Sequence, residues 1–374
     1  MFPRTVRFGL LAAAVTTAVL TPALLTSPVG AARPLTPSAV KYTCAPDARA
    51  LSYSDALDQR VSHGVTIGGL SSLAYDPRST SYVSAVDNDG SEPERLWFFR
   101  DTTSPRISRT PLVLRRPDGT AYTGKDSDNE GLAVLPDGDY LVSSETEPSI
   151  RVYGRNGVQK AHFAVPTRFR VTPKGQATDN ATLEGLTVGP RGHEVIAAME
   201  GALSGDRGSN GDATYHRLLV YRTDAAGHWR LTHQVGYRVG AGRRIPEVAR
   251  YGAHGLLVEE AAYSASKGNL VRLYAVRDID KAPDVSSVAN LSAAPGKVVA
   301  KTLVANLVTC PSLGAKAKEH QTNPLMANYE GMAITGSGGA GRYRVTMISD
   351  DNFGRNQTTR VLNLSTRLPG GPRR

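Results

Sequence analysis

Three glutamates in this chain stand directly before a glycine and an apolar run: Glu130 in "DNEGLAVLPDG", Glu184 in "TLEGLTVGPRG" and Glu330 in "NYEGMAITG". A second acidic series follows each time, one strand-length later. It comprises Asp87 and Asp89, Glu145, Glu200, Glu259 and Glu260, and Asp350 and Asp351. Two carboxylates about 4 Å apart repel by roughly 4 kcal/mol at an effective dielectric near 20. A gathered set therefore needs a compensating cation. Oxygen donors, with no cysteine ligands and no organised histidines, favour a hard ion, Ca²⁺ in preference to Zn²⁺. The ligands expected on this ground are Glu130, Glu145, Glu184, Glu330, Asp350 and Asp87. A plainer role competes with it: each acid could accept backbone N–H bonds or pair with an arginine, and so fasten neighbouring elements together.

Short apolar alternation broken by turn dipeptides must position these residues, which reads as all-β. The clearest unit runs from Glu130 to Pro166. Strands are expected at Leu132 to Leu135, Tyr140 to Ser144, Ser149 to Tyr153 and Gln159 to Ala164, with turns at Pro136-Asp137-Gly138 and Arg155-Asn156-Gly157. Four antiparallel strands in so short a span describe one blade of a β-propeller. Similar starts occur at Gly68, Glu184, His254 and Glu330, and one untagged blade is expected between Glu200 and Glu330. Six blades are the expectation, with five or seven left open, and the N- and C-terminal segments close the ring. Successive innermost strands run the same way along a central channel, so the repeated glutamates should surround one axis. Trp97 and Trp229 should pack between blades. "EGALSGDRGSNGDATYHR" and "SLGAKAKEHQTNPLMAN" read as rim loops.

Residues 1–32 read as a signal peptide: Arg4 and Arg7 form a basic start, Phe8 to Leu25 an apolar run, and Gly30 to Ala32 a small-residue cleavage site. A lead-in segment over 33–67, the propeller over 68–366 and a disordered tail over 367–374 follow. No later stretch reaches the roughly 20 apolar residues of a membrane span. An exported chain with two cysteines, Cys44 and Cys310, is expected to pair them. The stabilisation is on the order of 4–5 kcal/mol for so long a loop. The formal charge of +10 is scattered and lacks an aromatic-interleaved basic stripe, which argues against a nucleic-acid partner. "DSDNEG" imitates half an EF-hand loop, but Pro136-Asp137-Gly138 is a hairpin turn and no helices flank it. There is no G-x-S-x-G elbow and no H-E-x-x-H.

On "DNEGLAVLPDGDYLVSSE", "LEGLTVGPRGHEVIAAMEGAL", "NYEGMAI" and "MISDDNFGRNQTTRVLNL", the chain from about Gly68 to Leu364 resembles the secreted phytase-like family described as "esterase-like activity of phytase". The resemblance implies a repeated domain whose Glu and Asp carry phosphoesterase-type chemistry, here Glu130, Glu145, Glu184, Glu200, Glu330, Asp350 and Asp351. Two departures stand out. Glu259 is followed by Glu260 where relatives often have arginine, and at the first start Ser71-Ser72 follow the Gly-Leu with no Glu before it, so that blade is expected to contribute only Asp87 and Asp89.

The expected reaction is hydrolysis of a small anionic phosphate ester by a monomeric secreted protein. Glu200 or Asp351 would accept a proton from water, and Lys125, Arg151, Arg207 and Arg355 would contact the anion. A lactonase or carboxylesterase of the calcium-propeller kind, and a secreted binding propeller without catalysis, are the alternatives.

Overall fold

A computed structural model describes residues 43–87, 90–338 and 342–370. The signal segment, the start of the lead-in, Asp89 and the last four residues lie outside the described residues. Apolar runs of five to ten residues, cut by glycine turns, build the sheets. At Gly138 and Gly157, φ values of +90° and +81° put the chain in a region only glycine enters readily, and tight hairpins result.

The chain opens with β1 (Thr43–Cys44), β2 (Ala48–Ser54) and a hairpin of β3 (Val61–Ser62) and β4 (Val65–Thr66). The first blade holds β5 (Ala74–Asp76), β6 (Ser81–Ala85) and β7 (Arg95–Arg100), with β8 (Arg106–Ile107) and β9 (Leu112–Val113) both paired to β7. The second has β10 (Asn129–Val134), β11 (Tyr140–Ser144), β12 (Ser149–Tyr153) and β13 (Gln159–Phe163). The third has β14 (Leu183–Val188), β15 (Glu194–Met199), β16 (Tyr215–Thr223) and β17 (Trp229–Arg238). The fourth has β18 (Val248–Tyr251), β19 (Gly255–Ser264), β20 (Gly268–Val276) and β21 (Thr302–Asn306). The fifth has β22 (Asn328–Gly338), β23 (Arg342–Asp350) and β24 (Val361–Arg367), to which β2 and β1 add as outer strands.

The propeller is thus all-β, and its described residues form five blades in place of the expected six. The interval assigned to an untagged blade is filled otherwise. Long β16 and β17 complete the third blade, and 3₁₀ turns at Ile279–Lys281, Leu291–Ala293 and Pro295–Lys297 precede β21. "HGLLVEE" opens the second strand of the fourth blade, not its innermost one; that strand is β18.

Ring closure uses both chain ends. β2 runs antiparallel to β24, with Ser54 opposite Val361 and Arg49 opposite Ser365. Arg367 belongs to this last strand, which carries the propeller one residue beyond the expected boundary. A Cys44–Cys310 disulfide ties β1 to the segment after the fourth blade. The core lies between blades: Leu141, Ile150 and Val152 of the second pack with Leu186, Val195 and Tyr221 of the third. Trp97 packs with Ile348 and Val361 across the joint between the first and fifth blades, and Trp229 stacks on Phe163 with ring centres 5.0 Å apart.

Candidate metal centre

Each Glu-Gly tag sits in a β-bulge. The β10–β11 register slips between Asn129 and Leu132, β14–β15 between Leu183 and Leu186, and β22–β23 between Tyr329 and Gly331. A bulge inserts one residue and re-aims a side chain. The glycine answers a second demand, close approach of the next blade. A Cβ at Gly131 would lie 2.2 Å from the Glu184 carbonyl oxygen, one at Gly185 2.7 Å from the Glu247 Cα, and one at Gly331 2.4 Å from the Ser72 carbonyl carbon. Neighbouring inner strands therefore touch at the tags, and the glutamates of successive blades are brought together.

Glu130, Glu145 and Glu184 each place a carboxylate oxygen within 4.8 Å of the others, as do Asp87, Asp128 and Glu130. The two triads share Glu130. Its Oε2 accepts a short hydrogen bond from Ser71 Oγ, so the serine standing in the first blade's tag orients the glutamate of the second. Glu145 Oε1 accepts from the Thr182 amide. Burial, and then the facing carboxylates of Asp87, Glu145 and Glu330, hold Glu130 well above the ordinary carboxylate range. Burial and Glu200 push Glu145 up to about 8. Burial and Asp350 push Asp87 up to about 10. Glu184 is raised for the same reasons, with Glu130 as the largest carboxylate contributor.

Next to Glu184 the ring contains a cation of its own. Arg244 Nη1 donates to Glu200 Oε1 at 2.9 Å and lies 3.4 Å from Glu184 Oε1. Its Nη2 donates to Glu330 Oε1 at 2.6 Å and to Asn328 Oδ1 at 3.0 Å. The backbone of Arg244 pairs with Ala261 within β19, which anchors the residue. Glu330 thus belongs to the arginine's cluster, with Asn328 Nδ2 a further donor at 3.1 Å.

Other members of the second series have different surroundings. Asp350 Oδ1 accepts from the Asn352 amide at 2.7 Å, while its buried Oδ2 meets no donor. Both oxygens of the fully buried Glu259 are likewise unpartnered, and burial raises that carboxyl strongly. Glu260 points the other way along β19, to Tyr237, Lys301 and the Gly240 amide. Asp351 is a fastener: Oδ1 accepts from the Gly69 and Phe353 amides at 2.9 and 3.1 Å, and Oδ2 accepts from Gln59 at 2.7 Å.

The four basic residues expected to meet an anion divide into two kinds. Lys125 and Arg355 are exposed. Arg207 is also at the surface, where it donates to Thr178 Oγ1 at 3.3 Å. Arg151 is buried, donates to Ser127 Oγ at 2.7 Å and lies over the Tyr122 ring, so it holds the approach to β10.

Sequence reasoning did not find Arg244, Glu247 or Asp128 as members of the site. Glu247 immediately precedes β18, where Val248 stands next to the glutamate instead of glycine. Its Oε1 accepts from the Leu186 and Val248 amides, both at 2.9 Å, and the Met332 backbone adds a third bond. One carboxylate thereby fastens three inner strands.

The donor set suits a hard cation. The triads offer oxygen alone, Arg244 touches them at Glu184, 3.4 Å away, and the buried Asp350 Oδ2 has no donor. A model of the family described as "Phytase-like: Esterase-like activity of phytase" matches residues 65–353. No curated protein sequence matches the chain significantly. Among solved structures, the PQQ-bound aldose sugar dehydrogenase from Streptomyces coelicolor is 11% identical, with 87% of this chain and 100% of that one covered at a TM-score of 0.39. A catalytically inactive virginiamycin B lyase variant from Staphylococcus aureus with quinupristin is 10% identical, with coverages of 84% and 99% and a TM-score of 0.32.

Proposed function

The chain belongs to the phytase-like family, and on that premise we propose that it is an exported, calcium-dependent hydrolase of small phosphate esters. The observation that carries this reading is the division of the acid ring. Arg244 pairs with Glu184, Glu200 and Glu330, and Glu184 joins that cluster to the overlapping triads, in which burial and mutual repulsion hold the protons of Glu130, Glu145 and Asp87. Such carboxylates would hold Ca²⁺ through Glu130, Glu145, Asp87 and Asp128, with Asp350 beside them.

When bound, the ion would supply charge stabilisation to phosphoryl oxygens. The chain's own groups do the rest. Ser71 and the Thr182 amide orient Glu130 and Glu145. Arg244 fixes one oxygen of Glu200, which leaves that residue as the proton acceptor from water. Asp351 serves in positioning, since its oxygens are committed to Gly69, Phe353 and Gln59. Exposed Lys125 and Arg355 are the cations suited to meet the anion first.

Export fits the Cys44–Cys310 bond, which persists in oxidising compartments, and no described helix is long and apolar enough to cross a membrane. The test is a panel of phosphomonoesters, phosphodiesters and lactones assayed with calcium and with chelator. Calcium-dependent release of phosphate supports the reading. Lactone opening alone would move the activity to carboxyl esters, and calcium-raised thermal stability with no hydrolysis would leave a binding propeller.

A further inference from the structure

The turn after β23 carries Asn352 and Phe353 at φ values of +46° and +51°. Bulky side chains avoid this region, and such residues cost on the order of 1–3 kcal/mol each unless their surroundings fix them. Here three bonds fix them: Asn352 N to Asp350 Oδ1, Phe353 N to Asp351 Oδ1, and Gly354 N to the Asp351 carbonyl. The result is an aromatic residue that remains 47% exposed. It lies against Gly68 and Gly69, where a Cβ would come within 2.8 and 2.6 Å of its carbons. That same Gly69 Cβ would be 2.3 Å from the Asp87 carbonyl oxygen, so the ring stands beside the backbone of a triad member.

Phe353 also forms one wall of a cavity of about 340 Å³, with Val65, Val86, Pro93 and Trp97 as apolar neighbours and the paired Glu92 and Arg95 as its charged edge. Val86 directly precedes Asp87. Ligand pockets run from about 300 Å³ upward, and a cavity near 150 Å³ already takes a benzene ring. The strained turn, the exposed ring and the cavity all lie at the acid-ring end of the first and fifth blades.

We propose that this cavity is the subsite for a ring-sized apolar group of the ester, with Phe353 as its specificity-determining wall. The proposal rests on the reading that the acid ring binds the ester's anionic end. It commits the substrate class to esters that join an aryl or similarly apolar group to a phosphate.

Two probes separate the subsite from the acid ring. Saturation-transfer NMR with benzyl alcohol reads the cavity in the full chain, and calorimetry compares phenyl phosphate with inorganic phosphate on the calcium-loaded protein. Benzyl alcohol is expected to bind the wild type with or without calcium and to lose about tenfold in affinity in Phe353→Ala. Phenyl phosphate should bind about tenfold more tightly than inorganic phosphate, a ratio that falls to about one in the variant. Val65→Trp, which fills the cavity from its other wall, should do the same with Phe353 intact, while calcium affinity stays unchanged in both variants. If inorganic phosphate fails to bind but benzyl alcohol binds in a Phe353-dependent way, the acid-ring reading fails and the subsite stands. Equal binding of benzyl alcohol and of phenyl phosphate by wild type and both variants, or no binding of either by the wild type, overturns the subsite.

Discussion

Arg244 Nη2 lies 2.6 Å from Glu330 Oε1, and through its other terminal nitrogen the same guanidinium reaches Glu200 and Glu184. Glutamates from the third and fifth blades are thus joined by one arginine supplied from the segment between the third and fourth blades. Removing the arginine leaves three largely buried carboxylates without their cation, although the Arg244 side chain itself is 28% exposed and solvent softens the cost. Arg244→Met should therefore lower the melting temperature strongly, measured by calorimetry. Added calcium should recover part of the loss, because a second cation can partly take over the neutralisation.

Gly131→Ala and Gly185→Ala are expected to destabilise by about 1–3 kcal/mol, since each added Cβ collides with the neighbouring inner strand. Gly296→Ala is the control: nothing lies within 4 Å of its Cβ position, and a change within about 0.5 kcal/mol is expected. Urea denaturation of the three variants reads the difference.

The metal-free protein should lose stability as pH rises. Glu145 ordinarily titrates near 4.5 and is pushed up to about 8 in the fold, and Asp87 moves from 3.8 to about 10. Between those limits the native state keeps protons that the unfolded chain has released, so the linkage slope is negative. Calcium requires the ionised carboxylates, so its binding at pH 7 should release protons and tighten as pH rises. Calorimetric titration in buffers of different ionisation enthalpy measures the proton count. A count of zero would contradict protonated ligands.

Reduction of Cys44–Cys310, or Cys44→Ser with Cys310→Ser, should cost on the order of 4–5 kcal/mol, since the bond closes a loop spanning nearly the whole ring. Thermal unfolding with and without reductant tests this.

The second blade was legible from residue types alone. Its four strands lie within a residue or so of the expected ones at most ends, because apolar runs alternate with turns whose glycines have one workable conformation. The start of β10 is the exception: pairing begins at Asn129, since the bulge carries the tag itself into the strand. Glu130, Glu184 and Glu330 were legible because a bulged glutamate followed by a closely packed glycine leaves the same dipeptide each time. Glu247 was not, since β18 pairs with β19 without a register shift and has no glycine after the acid. Arg244 was not either, for it lies in a connecting segment with no period and its role comes from the acids it meets. The blade count went astray where β16 and β17 run long and 3₁₀ turns replace strands.

The most direct measurement is anomalous scattering from a calcium-soaked crystal. The expected result is a peak at about 2.3–2.6 Å from a Glu130 oxygen, with Glu145 or Asp87 among its other ligands and Arg244 still on Glu330. An acid ring with no peak at Glu130, while calcium sits elsewhere or nowhere, would contradict a metal centre there.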